Sequence, residues 1–307
     1  MEINSEIAET FLMKYKNSLS INTKFREIIE EIESTTNNDI APRGLKVKEA
    51  LITGFAIDPT LPLVDFEVRP FNFKYFAGEL FWYLSRERET TIIDKFSNFW
   101  DKIRNPDGTV NSNYGQILFG KQMNWVINSL KKDMNSRQAI AYLGGPQYQF
   151  DGNKDFVCTQ YIIFFIRNNE LNMKVQMRSN DIFYGLTYDA PFFATLQQTV
   201  YLNLLETYPD LKLGKYFHFS DNTHFYERHF GIAQKIINEP VRTNIEIRLK
   251  EPLFWADTNI ESNDLKYSTL TDRYINQVQN NIGNIQNLSK EDYQNLLKIL
   301  FDIDETN

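Results

Sequence analysis

Between Thr159 and Met177 apolar and polar residues alternate on both sides of Asn168-Asn169-Glu170. A period of two sends successive side chains to opposite faces, and small polar residues between two such runs mark a turn, so this stretch reads as a hairpin of two long strands. It commits the centre of the chain to a sheet. The only cysteine, Cys158, opens the first strand. Helical spacing surrounds the hairpin. Phe25, Ile28, Ile29 and Ile32 share one face of a helix read from Thr23, and Glu6 to Tyr15 is also amphipathic, so two packed N-terminal helices are expected. Over Phe71 to Ser85 the apolar residues again follow the helical period, with Glu79 embedded among them. A carboxylate there needs a reason. Ser289 is a helix cap ahead of Tyr293, Leu296, Leu297 and Leu300, and Tyr274, Ile275 and Val278 suggest another helix before it. Ser34 to Asp39 holds turn formers and no apolar residue, which reads as a linker. The expected organisation is an N-terminal helical extension over residues 1–40, a catalytic domain over 41–254 and a C-terminal helical extension over 255–307.

Apolar residues make up 42% of the chain and aromatics 14%, enough for a large core. No apolar run approaches the ~20 residues a membrane span needs, and no basic-then-apolar leader opens the chain, so a cytoplasmic protein that binds no membrane is expected. Net charge is -7 with no Lys/Arg cluster, which argues against nucleic acid as a partner. One cysteine excludes an internal disulfide, and with three histidines it is a poor set for a structural metal site. A free thiol with chemical work becomes plausible. Anionic ligands must be held by a few placed arginines.

The residues following Cys158 sharpen this. Twenty positions on stands Met177-Arg178-Ser179-Asn180-Asp181, followed by Gly185-Leu186-Thr187-Tyr188-Asp189. Upstream are Gly78-Glu79-Leu80, Trp100-Asp101, Asn113-Tyr114-Gly115 and Ser136-Arg137, and downstream His224-Phe225-Tyr226. In order and spacing the chain resembles the thymidylate synthase superfamily across residues 41 to 230. That resemblance implies an α+β fold, a large mixed β-sheet flanked by helices, with one sheet face at a homodimer interface. It implies 5,10-methylenetetrahydrofolate as one-carbon donor, a nucleoside monophosphate as substrate, and no metal.

It also implies roles. Cys158 adds to C6 of a pyrimidine, which makes C5 nucleophilic. Arg178 grips the 5'-phosphate and favours the thiolate, with Ser179, Asp181, Arg43 and, from the other subunit, Arg137 as further substrate-binding residues. Glu79 moves protons at the base and Tyr114 helps remove the C5 proton. His224 and Tyr226 hold the sugar. Trp100, Glu79 and Gly185 face the folate. His218 is left as structural.

Asp189 falls at the base-reading position, where thymidylate synthase has asparagine. An ionised carboxylate accepts from the cytosine N4 amino group and opposes uracil O4, whereas a protonated one suits uracil. Thr159 after the cysteine, Met177 before the arginine and Ile103 in place of a second tryptophan resemble the phage deoxycytidylate hydroxymethylase branch. The expected reaction is therefore 5-hydroxymethylation of dCMP. C5 methylation or hydroxymethylation of dUMP or CMP, and a non-catalytic nucleotide-binding homologue, stay open. Gln138 replaces a second phosphate arginine of the family, and the last residues lack its short apolar tail.

Overall fold

A computed structural model describes residues 20–35, 39–242 and 244–305. The Glu6–Tyr15 helix expected from sequence lies outside the described residues. Helix α1, Ile21–Ser34, is capped by the Ser20 hydroxyl and buries Phe25, Ile28, Ile29 and Ile32. These join the same apolar cluster as the rest of the chain.

The centre is a mixed sheet. In chain order its strands are β1 (Asp39–Ile40), β2 (Val47–Ile57), β3 (Ile140–Tyr142), β4 (Thr159–Arg167), β5 (Glu170–Met177), β6 (Asn180–Asp181) and β7 (Lys212–Tyr226). Their spatial order is β1-β2-β7-β5-β4-β3, with β6 also against β7. The hairpin is β4–β5, paired from Thr159↔Met177 to Arg167↔Glu170. Its turn residues Asn168 and Asn169 both have positive φ, 53° and 58°, the geometry that two-residue hairpin turns require and asparagine tolerates.

From β5 the chain passes through β6, a wide helical turn at Ile182–Leu186 and the long helix Thr187–Leu204, then returns as β7 parallel to β5. In chain order the helices after α1 are α2 (Phe73–Ser85), α3 (Tyr114–Leu118), α4 (Lys121–Lys132) and α5 (Thr187–Leu204). Helix α5 is buried on nearly all sides, so its polar side chains bond to backbone: Gln198 Nε2 donates to Pro59 O at 2.9 Å and Asn203 Nδ2 to Phe254 O at 2.9 Å. Helix α2 is also enclosed. It needs glycine at 78, since a Cβ there would stand 2.2 Å from the Phe96 ring.

Beyond residue 255 the chain forms helices Thr269–Asn281 and Lys290–Leu300, the second with the expected Ser289 cap, and then a strand, Phe301–Glu305, antiparallel to Ile245–Leu249. Tyr274 donates its hydroxyl to Ala77 O at 2.6 Å, so this segment braces α2. Among the described residues, no helix is long and apolar enough to cross a membrane.

Candidate active site

Strand polarity gathers the sequence candidates at one edge of the sheet. Cys158 precedes β4, Arg178 follows β5, and the antiparallel register sets them side by side: Arg178 N donates to Cys158 O at 2.9 Å. Because β7 runs parallel to β5, its far end carries His224 and Tyr226 to the same edge, and β6 pairs Asp181 with His224. Asp189 sits in the first turn of α5 directly above.

Cys158 is half-buried. Arg178 Nη2 stands 3.6 Å from Sγ, Nε donates to Val157 O at 3.1 Å, and the guanidinium stacks on Phe156 at 4.7 Å. Burial pushes the Cys158 thiol up to about 11; Arg178 opposes this, while Asp189, Asp155 and Asp181 add to it. Arg178 thus favours the thiolate as expected, but desolvation outweighs it and the resting group is the thiol. Asp155, absent from the sequence candidates, ties this loop to the next element. Its carboxylate accepts from Asn111 N at 2.6 Å, Ser112 N at 2.7 Å and Ser112 Oγ at 2.6 Å.

Two residues on, Asn113 caps α3 and Tyr114 begins it. Tyr114 is buried and stacks on Tyr83 with centroids 5.5 Å apart. The fully buried Thr159 hydroxyl donates to Tyr114 Oη at 3.0 Å, giving the residue after the cysteine a direct hold on the tyrosine.

Glu79 is 5% exposed and has no cationic partner in a salt bridge with any described residue. Tyr75 Oη donates to Glu79 Oε1 at 2.8 Å and accepts from Trp100 Nε1 at 3.2 Å. Burial raises the Glu79 carboxyl to about 8, with Tyr75 and Tyr83 pulling down and Asp189 pushing up. Asp189 rises to about 7 through burial, offset by Asn180, whose Nδ2 donates to Oδ2 at 3.1 Å. A carboxyl near 7 is neither firmly ionised nor firmly neutral. Gly185 lies against this pair: a Cβ there would stand 3.0 Å from Asn180 Nδ2 and 3.1 Å from Asp189 Oδ2. The wide turn carrying Gly185 is strapped by Arg69, which donates to Thr187 Oγ1 at 3.2 Å and to Phe183 O.

On the opposite side, Asp181 caps that turn through Phe183 N at 2.9 Å, and burial raises its carboxyl to about 6. Ser179 is partly buried in the link between β5 and β6. His224 Nδ1 is 2.9 Å from Asn222 Oδ1 and its ring meets Tyr226 edge-on. Burial lowers His224 to about 4, with Arg43 and Arg178 contributing, so the imidazole is neutral and both arginines lie within reach of it electrostatically. Arg43 itself is exposed, in a turn with φ 54°. Arg137 is also exposed, beside β3, and makes no salt bridge to any described residue; the fold of one chain does not bring it to Cys158. His218 packs on Phe55 and bonds Tyr216 Oη at 2.7 Å, a core role.

No cluster of metal-ligating side chains occurs among the described residues. Trp100 is buried and backed by Trp82 at 4.8 Å, and the exposed Phe99 and Tyr184 rings lie 6.1 Å apart.

A sequence model of the thymidylate synthase family matches residues 23–286. The deoxycytidylate 5-hydroxymethyltransferase of Enterobacteria phage T4 is 28% identical over 201 residues, covering 62% of this chain and 80% of that protein. A thymidylate synthase from Fusobacterium nucleatum is 26% identical over 201 residues, covering 62% and 70%. The deoxyuridylate hydroxymethyltransferase of Bacillus phage SP01 is 26% identical over 213 residues, covering 62% and 54%. The chain belongs to the thymidylate synthase family, whose members transfer a one-carbon unit to C5 of a pyrimidine nucleotide.

Sequence reasoning reached Cys158, Arg178, Glu79, Tyr114 and Asp189 but missed Tyr75, Tyr83, Asp155 and Asn180 as their partners. Tyr75 and Tyr83 left a signal, since each stands one helical turn from Glu79.

Proposed function

We propose that the protein converts dCMP, 5,10-methylenetetrahydrofolate and water to 5-hydroxymethyl-dCMP and tetrahydrofolate. The observation that carries this reading is Asp189, a carboxyl held near neutrality beside Asn180 at the base end of the site. In either protonation state it keeps an oxygen to accept from the cytosine N4 amino group. When protonated it also donates to cytosine N3. Uracil O4, by contrast, needs the protonated acid. The same observation sustains a second reading, C5 transfer to dUMP, since a carboxyl near 7 is protonated for part of the time at neutral pH.

In this reading the Cys158 thiol gives its proton to solvent and Sγ bonds to C6, with Arg178, 3.6 Å away, stabilising the sulfur as its proton leaves. Glu79, near 8, can give a proton to the base and take it back. Tyr114, oriented by Thr159, helps remove the C5 proton by orienting the water that accepts it. The folate would supply the one-carbon unit as an electrophilic methylene. Once the folate has left, water adds to that carbon and loses a proton, and Cys158 leaves C6, which restores the ring double bond and the free thiol. Arg178 and Arg43 bind the phosphate, Ser179 and Asp181 serve as further substrate-binding residues, His224 and Tyr226 bind the sugar, and Trp100 and Gly185 the folate.

A homodimer belongs to this reading, with Arg137 entering the partner's site. Ile163, Phe165, Phe217 and Phe219 stay partly exposed on the sheet face away from the helices, and Leu51 and Ile52 are 63% and 84% exposed in β2. Such a face asks for a cover.

The test is mass spectrometry of products from separate incubations with dCMP, dUMP and CMP plus the folate. Addition of CH2O to dCMP alone is expected. Addition of CH2 to dUMP with dihydrofolate released would make it a synthase.

A further inference from the structure

Tyr75 belongs to none of the assigned groups, yet among the described residues its hydroxyl hydrogen-bonds both Trp100 and Glu79. It lies one turn before Glu79 on α2, so both side chains leave the same face of the helix. The hydroxyl accepts from Trp100 Nε1 at 3.2 Å and, having one proton, spends it on Glu79 Oε1 at 2.8 Å. The ring packs on Tyr188, next to Asp189, with centroids 4.4 Å apart.

We propose that Tyr75 is a positioning residue that couples the Trp100 platform to Glu79, holding the carboxylate in place and favouring its charged form. The inference rests on the reading of Glu79 as the proton carrier. The direction of each bond carries it. Indole N–H can only donate, so Tyr75 Oη must accept from it, which leaves the phenol proton for the carboxylate. A donor that is itself hydrogen-bonded as an acceptor is a better donor, so a ligand that presses Trp100 towards Tyr75 strengthens the bond to Glu79. The other titratable groups facing Glu79 are Tyr83 from its own helix and Asp189 and Tyr188 from α5. Tyr83 also favours the charged carboxylate, whereas Asp189 opposes it, so Tyr75 is the larger of two restraints against burial.

The experiment follows Glu79 directly by 13C NMR of protein labelled at glutamate Cδ, titrated without substrates, with Glu79→Gln identifying the resonance. Wild type should titrate near 8. In Tyr75→Phe the midpoint should rise by roughly one pH unit, the low end of what a bond to a charged group contributes. In Trp100→Phe, where Tyr75 keeps its bond but loses its donor, the rise should be smaller. With whichever nucleotide turns over, Tyr75→Phe should lower kcat and leave the nucleotide KM unchanged, a split that general loss of packing would not produce. A midpoint unmoved or lowered in Tyr75→Phe overturns the proposal. If that variant fails to fold, an unmoved midpoint in Trp100→Phe does the same. The titration needs no turnover, so an enzyme inactive on every pyrimidine nucleotide would sink the proposed function while leaving this result readable.

Discussion

The two ends of the site are built differently. At the end proposed to take the base, Glu79, Tyr114 and Thr159 are buried, and burial shifts the titration of Glu79, Tyr114 and Asp189 upwards. At the end proposed to take the phosphate, Arg43 is exposed and Arg178 uses two of its donors on the carbonyls of its own loop, while Arg137 lies exposed beside β3. In the proposed reading the base end is supplied by one chain, whose burial keeps its groups dry. The phosphate end is open, and a dianion entering from water can gather flexible cations as it binds.

The largest way to test the contrast is at the base end. Glu79→Gln should lower kcat by about 10²- to 10⁴-fold, the usual worth of a general acid–base group, with the nucleotide Kd little changed. The same substitution should stabilise the fold. A carboxyl raised from 4.5 to about 8 binds its proton more tightly when folded, so its favourable contribution is complete below about 4.5 and is lost as pH rises through 8. The gain in Tm of Glu79→Gln should therefore be larger at pH 8.5 than at pH 5, and scanning calorimetry at the two values checks it. Equal gains would mean that the carboxyl is not held neutral by burial.

At the phosphate end Arg137→Ala should raise the nucleotide KM by roughly 10- to 100-fold, the loss of a charge-assisted bond, with a smaller effect on kcat. If Arg137 serves the partner's site, mixing this variant with Cys158→Ser should restore sites with the wild-type nucleotide KM, which neither variant shows alone, since one site of each mixed dimer is whole. Mixed samples as poor as their components would place Arg137 outside the site.

The chain's hairpin was legible because alternation and a two-asparagine turn are local properties, and its register then made the spacing of Cys158 and Arg178 meaningful. The helix of Glu79 was legible for the same reason. Asp155 was not: it bonds to residues more than 40 positions away, and nothing local distinguishes it from a solvated aspartate. Nor could spacing tell that Arg178's pull on the Cys158 thiol would lose to burial, or that Asp189 would come to rest near 7, since both depend on how much water the finished fold excludes.

Asp189 gives the smallest effect. Its affinity for dUMP should fall about tenfold for each pH unit above 7, as the proton needed by O4 is lost, while dCMP binding should fall less. Binding calorimetry from pH 6 to 9 decides this, and parallel curves for the two nucleotides would remove Asp189 from base reading.

The covalent role of Cys158 is the central claim, and the most direct test is intact-mass analysis of protein incubated with 5-fluoro-dCMP and 5,10-methylenetetrahydrofolate, where no C5 proton can leave and the adduct is trapped. The protein should gain the combined mass of nucleotide and folate, located to the peptide carrying Cys158 and absent in Cys158→Ser. An unmodified wild-type protein that still hydroxymethylates dCMP would contradict the account.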